Sequence, residues 1–197
     1  MNTPDSFSSG MQEHQGVLSA CMESSELQNS WSQWVEKAIQ LYQASGKMFF
    51  CGNGGSAADA QHLSAELSGR FERNRAPLYA EALHVNSSYL TAVANDYGYD
   101  TIYERAVEAF MQPGDLLVAM STSGRSPNIL RAAEKARDLD ITIVSLTGQT
   151  ASPLSELSDI TLSVPATNTA RIQEMHMLLG HLFCQTVERQ LFPDAKS

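Results

Sequence analysis

An α/β fold on a mostly parallel sheet is what this sequence predicts, and three observations carry the prediction. Five short apolar runs recur: "KMFFCG" (47–52), "LYAEALHV" (78–85), "DLLVAMS" (115–121), "ITIVSLTG" (141–148) and "DITLSVP" (159–165). Segments of helical period lie between them, near 54–70, 88–94, 101–111 and 127–139. Strands alternating with helices form βαβ units, which put helices on both faces of a parallel sheet. A hydrophobic share of 43% in 197 residues is ample for one core of this kind.

Taken in order, residues 1–10, "MNTPDSFSSG", are small and polar and read as a flexible tail. From Met11 to Ala44 the spacing is helical, and Trp31, Trp34, Val35, Ala38, Ile39, Leu41 and Tyr42 form a broad apolar stripe. Gly46 ends this N-terminal helical arm (11–45). The stripe is wider than a solvent-facing helix needs, so burial in an oligomer is expected. A single sheet-based domain follows over 46–192 and closes with an amphipathic helix from about Thr169 to Leu191.

The formal charge of −9 argues against a nucleic-acid partner, which would need a basic surface. A phosphate bound by so acidic a chain must be held by local N–H groups, hydroxyls or a few Arg. Three cysteines (Cys21, Cys51, Cys184) without paired spacing favour reduced thiols over a disulfide framework. The first basic residue is Lys37, which leaves no cationic signal-peptide region. No apolar run approaches the roughly 20 residues that span a bilayer. A cytoplasmic protein without a membrane partner is expected.

Three constellations bear chemistry. "CGNGGS" (51–56) joins the first strand to a helix, where Gly52, Gly54 and Gly55 permit close backbone approach and Ser56 caps the helix or bonds a ligand. A plain strand-to-helix turn fits these residues equally well. The loop lacks the third glycine of a dinucleotide fingerprint and the lysine of a P-loop, so no nucleotide cofactor is expected. In "MSTSGRSPNIL", Ser121, Thr122, Ser123 and Ser126 surround Gly124 at a strand end. Four hydroxyls beside helix-terminal N–H groups suit a phosphate, whereas a simple cap needs one or two. Arg125 either helps to hold that phosphate or points to water. Finally, His62 and Glu66 are i and i+4 on one helical face, which suits a metal pair, an acid–base couple or a surface hydrogen bond. Gln173 and His181 share a face of the last helix but lie about 12 Å apart along it, stretched for joint contact with one ion. Either the helix start bends or different subunits share the site. His176 lies on another face and reads as a packing residue.

These motifs occur in the order and spacing of the sugar isomerase (SIS) superfamily. The chain resembles its phosphoheptose isomerase branch over about 30–192, through "CGNGGSAADAQHLSAELSGRF", "VANDYGYD", "STSGRSPN", "SLTG" and "RIQEMHMLLGHLF". The resemblance implies a five-stranded parallel, flavodoxin-like SIS domain flanked by helices, assembled as a homotetramer with active sites at subunit interfaces. It implies interconversion of sedoheptulose 7-phosphate and D-glycero-D-manno-heptose 7-phosphate without a redox cofactor, supplying heptose for lipopolysaccharide core or related glycans. By position, Asn53, Gly54, Gly55, Asn95 and Asp96 fall on sugar contacts, with Ser56 and Gln173 beside them. Ser121, Thr122, Ser123 and Ser126 fall on the phosphate loop. Glu66 and His181 match the acid–base pair, and His62, Glu66, Gln173 and His181 match a zinc site of some members.

Arg125 stands where that family usually has Asn, Ala170 replaces an Asp, and "QTASPLSELSD" replaces an Asp-Gly-Gly stretch. A second SIS group, which binds the bacterial replication initiator, shares "CGNG", "RIQEMHML" and an end near "LFP" (191–193). That group loses acid–base residues, whereas Glu66 and His181 are both present here. A ligand-sensing SIS module would bring a DNA-binding segment, and the first 45 residues show neither basic charge nor a helix-turn-helix pattern.

Overall fold

The computed structural model describes residues 3–149 and 151–195. It opens with two helices, α1 (Thr3–Glu23) and α2 (Ser25–Gln43). Residues 3–10, expected as a tail, are therefore the first turns of α1, while Met1 and Asn2 lie outside the described residues. The continuous helical pattern is cut at Ser24, whose extended backbone and hydroxyl, accepting from the Leu27 N–H at 3.2 Å, cap α2. The chain leaves α2 through Ser45, in the left-handed region at φ 62°, one residue before Gly46.

The domain then alternates as expected: β1 (Met48–Gly52), α3 (Gly55–Ser68), β2 (Ala80–Ala82), α4 (Ser87–Tyr97), a 3-10 turn (Tyr99–Thr101), α5 (Ile102–Phe110), β3 (Leu116–Met120), α6 (Pro127–Asp138), β4 (Thr142–Thr147), α7 (Pro153–Leu157), β5 (Ile160–Ser163) and α8 (Thr169–Leu191). The sheet is parallel throughout, in the order β2-β1-β3-β4-β5. That is the flavodoxin-like order, whose switch point opens a crevice at the carboxyl ends of β1 and β3. Two expectations change. The second apolar run supplies only three paired residues at the sheet edge, and α7 forms in a stretch to which the sequence pattern assigned no helix, where Ser152 and Ser155 make a capping box around Pro153.

Strand alternation divides the core. Met48 and Phe50 face α2, α3 and α8, while Phe49 and Cys51 face α4, α5 and α6. The α2 stripe is consumed in the first layer: Trp34 is fully buried and stacks on Phe183 with centroids 3.7 Å apart, and Trp31 donates its indole N–H to the Leu179 carbonyl. Most of the stripe is thus covered within the chain, with Trp31, Ile39 and Tyr42 left half-buried. The large apolar side chains left exposed lie elsewhere, among them Phe7, Met11 and Met22 on α1 and Leu178 and Leu182 on α8.

Helices α3 and α8 run alongside one another, with Gly55 beside Gln173 and Leu63 beside Gly180. A Cβ on Gly180 would fall 2.6 Å from buried Leu63, so only glycine admits this approach. Among the described residues, no helix is long and apolar enough to cross a membrane.

Candidate active site

The close approach at Gly180 brings its neighbour His181 onto the face of α3 that carries His62 and Glu66. His62 Nε2 lies 3.0 Å from His181 Nε2 and 3.3 Å from Glu66 Oε1. One donor atom from each residue lies within 4.8 Å of the others. Glu66 and His181 are partly buried, and His62 is about half exposed. A carboxylate and an imidazole this close can reach adjacent atoms of one small molecule. Phe71 stacks against the His181 ring with centroids 5.7 Å apart. One turn before His62, Asp59 has an unpartnered Oδ2, and burial pushes its carboxyl up to about 6 against the opposing pull of His62.

The trio suits a metal. A tetrahedral zinc with N and O donors at about 2.0–2.2 Å sets neighbouring donors about 3.3 Å apart, close to the two separations found. Gln173 is not part of this group in the chain. Its amide sits at the start of α3, donating to buried Ser56 Oγ at 3.5 Å, and α8 runs unbroken from there to His181. The bent-helix alternative for joining Gln173 to His181 is thereby removed. His176 is a packing residue: wholly buried, it donates Nε2–H to the Thr147 carbonyl, and burial pushes its pKa down to about 4.

The glycine loop closes the crevice at the end of β1. Gly54 stands at the cap of α3 at φ 56°, and neither it nor Ser56 supplies a side-chain cap; the Ser56 and Ala57 N–H groups donate to the Asn53 and Gly54 carbonyls, which leaves those of Gly54 and Gly55 to face a ligand. Asn53 exchanges two 2.8 Å amide hydrogen bonds with buried Asn128, in the first turn of α6, and accepts a third from Tyr99. These bonds tie the sugar-loop candidate to the phosphate-loop candidate. Nothing in "SPNIL" marked Asn128 out beforehand, because an amide after a Ser-Pro helix start reads as ordinary surface.

The hydroxyls of 121–126 divide. Ser121 turns inward, accepting from the Gly124 N–H at 3.1 Å and meeting Ser126 Oγ at 3.3 Å, while Gly124 turns the loop at φ 60°. Thr122, Ser123 and Arg125 line a cavity of about 250 Å³ with Gln149, Thr167 and Thr169. Ser126 stands at the N-cap of α6 without a side-chain cap bond. Arg125 bonds the Ala151 carbonyl at 3.3 Å, holding the substituted stretch after β4 against the loop. Asn95 and Asp96 are exposed near the end of α4 and bond each other at 2.9 Å. The chain alone does not bring that pair to the trio.

Residues 15–148 match the model of the SIS domain family. A phosphoheptose isomerase of Mycobacterium bovis is 52% identical over 157 residues, 80% of each chain. Among solved structures, a phosphoheptose isomerase from Francisella tularensis superposes with a TM-score of 0.92 at 34% identity, covering 96% of this chain and 100% of its own. One from Neisseria gonorrhoeae gives 0.89 at 36% identity, over 95% and 99%.

Proposed function

The chain belongs to the SIS domain family, among its phosphoheptose isomerases, and from that premise we infer that it interconverts sedoheptulose 7-phosphate and D-glycero-D-manno-heptose 7-phosphate. The observation that carries the reading is the meeting of Glu66 and His181 from two helices.

An aldose–ketose isomerisation moves one proton between C1 and C2 and another between their oxygens, with no net redox change and no redox cofactor. We assign Glu66 to carbon. It takes the proton from C1 of the ketose, the electron pair forms the enediol double bond, and the proton returns at C2. His181 relays the second proton from one oxygen to the other, so the sugar carbonyl moves from C2 to C1. The helix-terminal N–H groups at Gly54 and Gly55, with Asn53, Ser56 and Gln173, orient the sugar. Thr122, Ser123 and Ser126 bind the phosphate beside the α6 N-terminus, and Ser121 shapes the loop.

His62, Glu66 and His181 are the residues that would hold zinc. Bound there, it supplies Lewis-acid polarisation of a carbonyl oxygen. Gln173, about 12 Å along α8 from His181, joins that set only through a second copy of the chain. We place the protein in the cytoplasm as a homotetramer with shared sites, a state that would cover the exposed apolar residues of α1 and α8 and bring in Asn95 and Asp96. Its product would serve heptose-containing glycans such as lipopolysaccharide core.

The test is incubation of purified protein with sedoheptulose 7-phosphate, with and without added zinc, following the aldose by NMR. Turnover lost in Glu66→Gln and His181→Gln supports the assignment. Absence of turnover in the parent under both conditions turns the reading to the partner-binding SIS proteins.

A further inference from the structure

Beyond the trio lies a second, fully buried set of charges that the reaction does not consume. Arg75, in the loop after α3, has no exposed side-chain surface, and Glu188 on α8 is 1% exposed. Arg75 Nε–H donates to Glu188 Oε1 at 2.9 Å. Its remaining donors go to main-chain carbonyls: Nη2 to Glu66 at 2.8 Å, and Nη1 to Leu67 at 2.8 Å and Ala76 at 3.0 Å. The guanidinium thus caps the carbonyl end of the helix that carries His62 and Glu66. Glu188 in turn accepts the N–H groups of Phe71, Glu72 and Arg73 at 3.1, 2.8 and 2.9 Å. Burial alone would raise the Glu188 pKa, but those N–H groups and Arg75 hold it below the ordinary carboxylate value.

The geometry joins the two helices of the site at one point. Phe71, whose main chain Glu188 fixes, is the residue whose ring lies on His181. A buried ion pair is weak evidence for stability, since its desolvation offsets much of the attraction. It is better suited to holding fixed directions, and two of the directions here lead to Glu66 and, through Phe71, to His181.

We propose that Arg75, Glu188 and Phe71 form a positioning unit that sets the His181 ring and the end of α3 for proton transfer and metal binding. This rests on the functional reading above only for its kinetic arm. These are positioning residues, because none of them lies in the trio.

The experiment compares the parent with Phe71→Leu, Phe71→Tyr and Arg75→Lys, measuring kcat and KM for sedoheptulose 7-phosphate, zinc affinity by competition with a chromophoric chelator, and the thermal midpoint. Phe71→Leu is expected to lower kcat and zinc affinity by about tenfold each, the range for losing a supporting contact to a metal ligand. KM should stay within about twofold and the thermal midpoint near the parent's, and Phe71→Tyr should restore both losses. Arg75→Lys keeps the charge but loses the fork, so it should show the same kcat and zinc losses. Parent values of kcat and zinc affinity in Phe71→Leu would overturn the proposal. So would losses that follow the thermal midpoint and are not restored by Phe71→Tyr. A parent that binds zinc but turns over no heptose phosphate refutes the functional reading alone, and the zinc titration then decides this one. A parent that does neither overturns both.

Discussion

Substituting Gly55 by alanine should separate stability from function. Gly55 is the first residue of α3 and has no left-handed φ. A Cβ placed there would lie 2.6 Å from both Nε2 and Oε1 of Gln173 and 2.8 Å from its Cδ. Ordinary contact begins near 3.4 Å, so the amide must retreat by about 0.8 Å. It is the far end of a flexible side chain, so the fold can absorb this at little cost. Alanine is also favoured over glycine by about 0.5–1 kcal/mol inside a helix, which offsets part of any strain. The thermal midpoint should therefore hold or rise slightly. Activity should not. A misplacement of about 1 Å at a positioning group costs up to about a hundredfold, so kcat/KM for sedoheptulose 7-phosphate is expected to fall between tenfold and a hundredfold. The control is a double-mutant cycle: Gly55→Ala should add nothing to Gln173→Ala if it acts only through that amide. Full activity in Gly55→Ala, or additive losses in the double variant, would refute the role given to Gln173. A collapse of the thermal midpoint would show that the loss arises from the fold.

Ser123→Ala and Ser126→Ala should each weaken binding of the phosphorylated sugar by about 1.5–3 kcal/mol, the scale of one hydrogen bond to a charged group, read as a rise in KM; wild-type KM in both would move the phosphate elsewhere. Protein purified without chelator should carry near-stoichiometric zinc by elemental analysis and His62→Ala should lose it, whereas a metal-free parent with full activity removes the ion from the reading. Burial lowers the His176 pKa from the ordinary 6.5 to about 4, so the unfolded chain binds the proton first as pH falls. The stability this group contributes is complete above about pH 6.5 and is lost towards pH 4, on the order of 3 kcal/mol. Urea midpoints at pH 7.5 and 4.5 should converge by that scale in His176→Gln relative to the parent, and an identical pH response in both would contradict the neutral, buried imidazole.

Much of this was legible in the chain. The strand runs and the helices between them follow from hydrophobic period, and the His62–Glu66 pair follows from helical spacing, because both are local. The meeting of His181 with that pair is not local. It depends on Gly180 opposite Leu63, a contact across 117 positions that no window of sequence exposes. The same limit hid Asn128, Phe71 and Arg75, whose partners lie on other elements. The α2 stripe hid its partner in the same way: its width was real, and the cover of Trp34 comes from Phe183, far down the chain. The start of α1 was missed because Ser, Asp and Gly near a terminus look alike in a frayed segment and in a docked helix. Here α1 is fastened by Arg171 to the Gly10 carbonyl and by Glu174 to His14.

The separation of 119 positions between His62 and His181 also sets the order in which the protein can become competent. A chain leaving the ribosome carries two of the three donors once α3 is made, and gains the third only with α8. Until α8 docks, no assembled trio exists to hold an ion, so the native site and the finished fold appear together. Zinc that binds only the finished trio would stabilise the native state by mass action, by an amount that grows with the logarithm of its free concentration over its dissociation constant. Scarcity of the metal would then be felt first as a shorter lifetime of the folded protein, before any question of turnover arises.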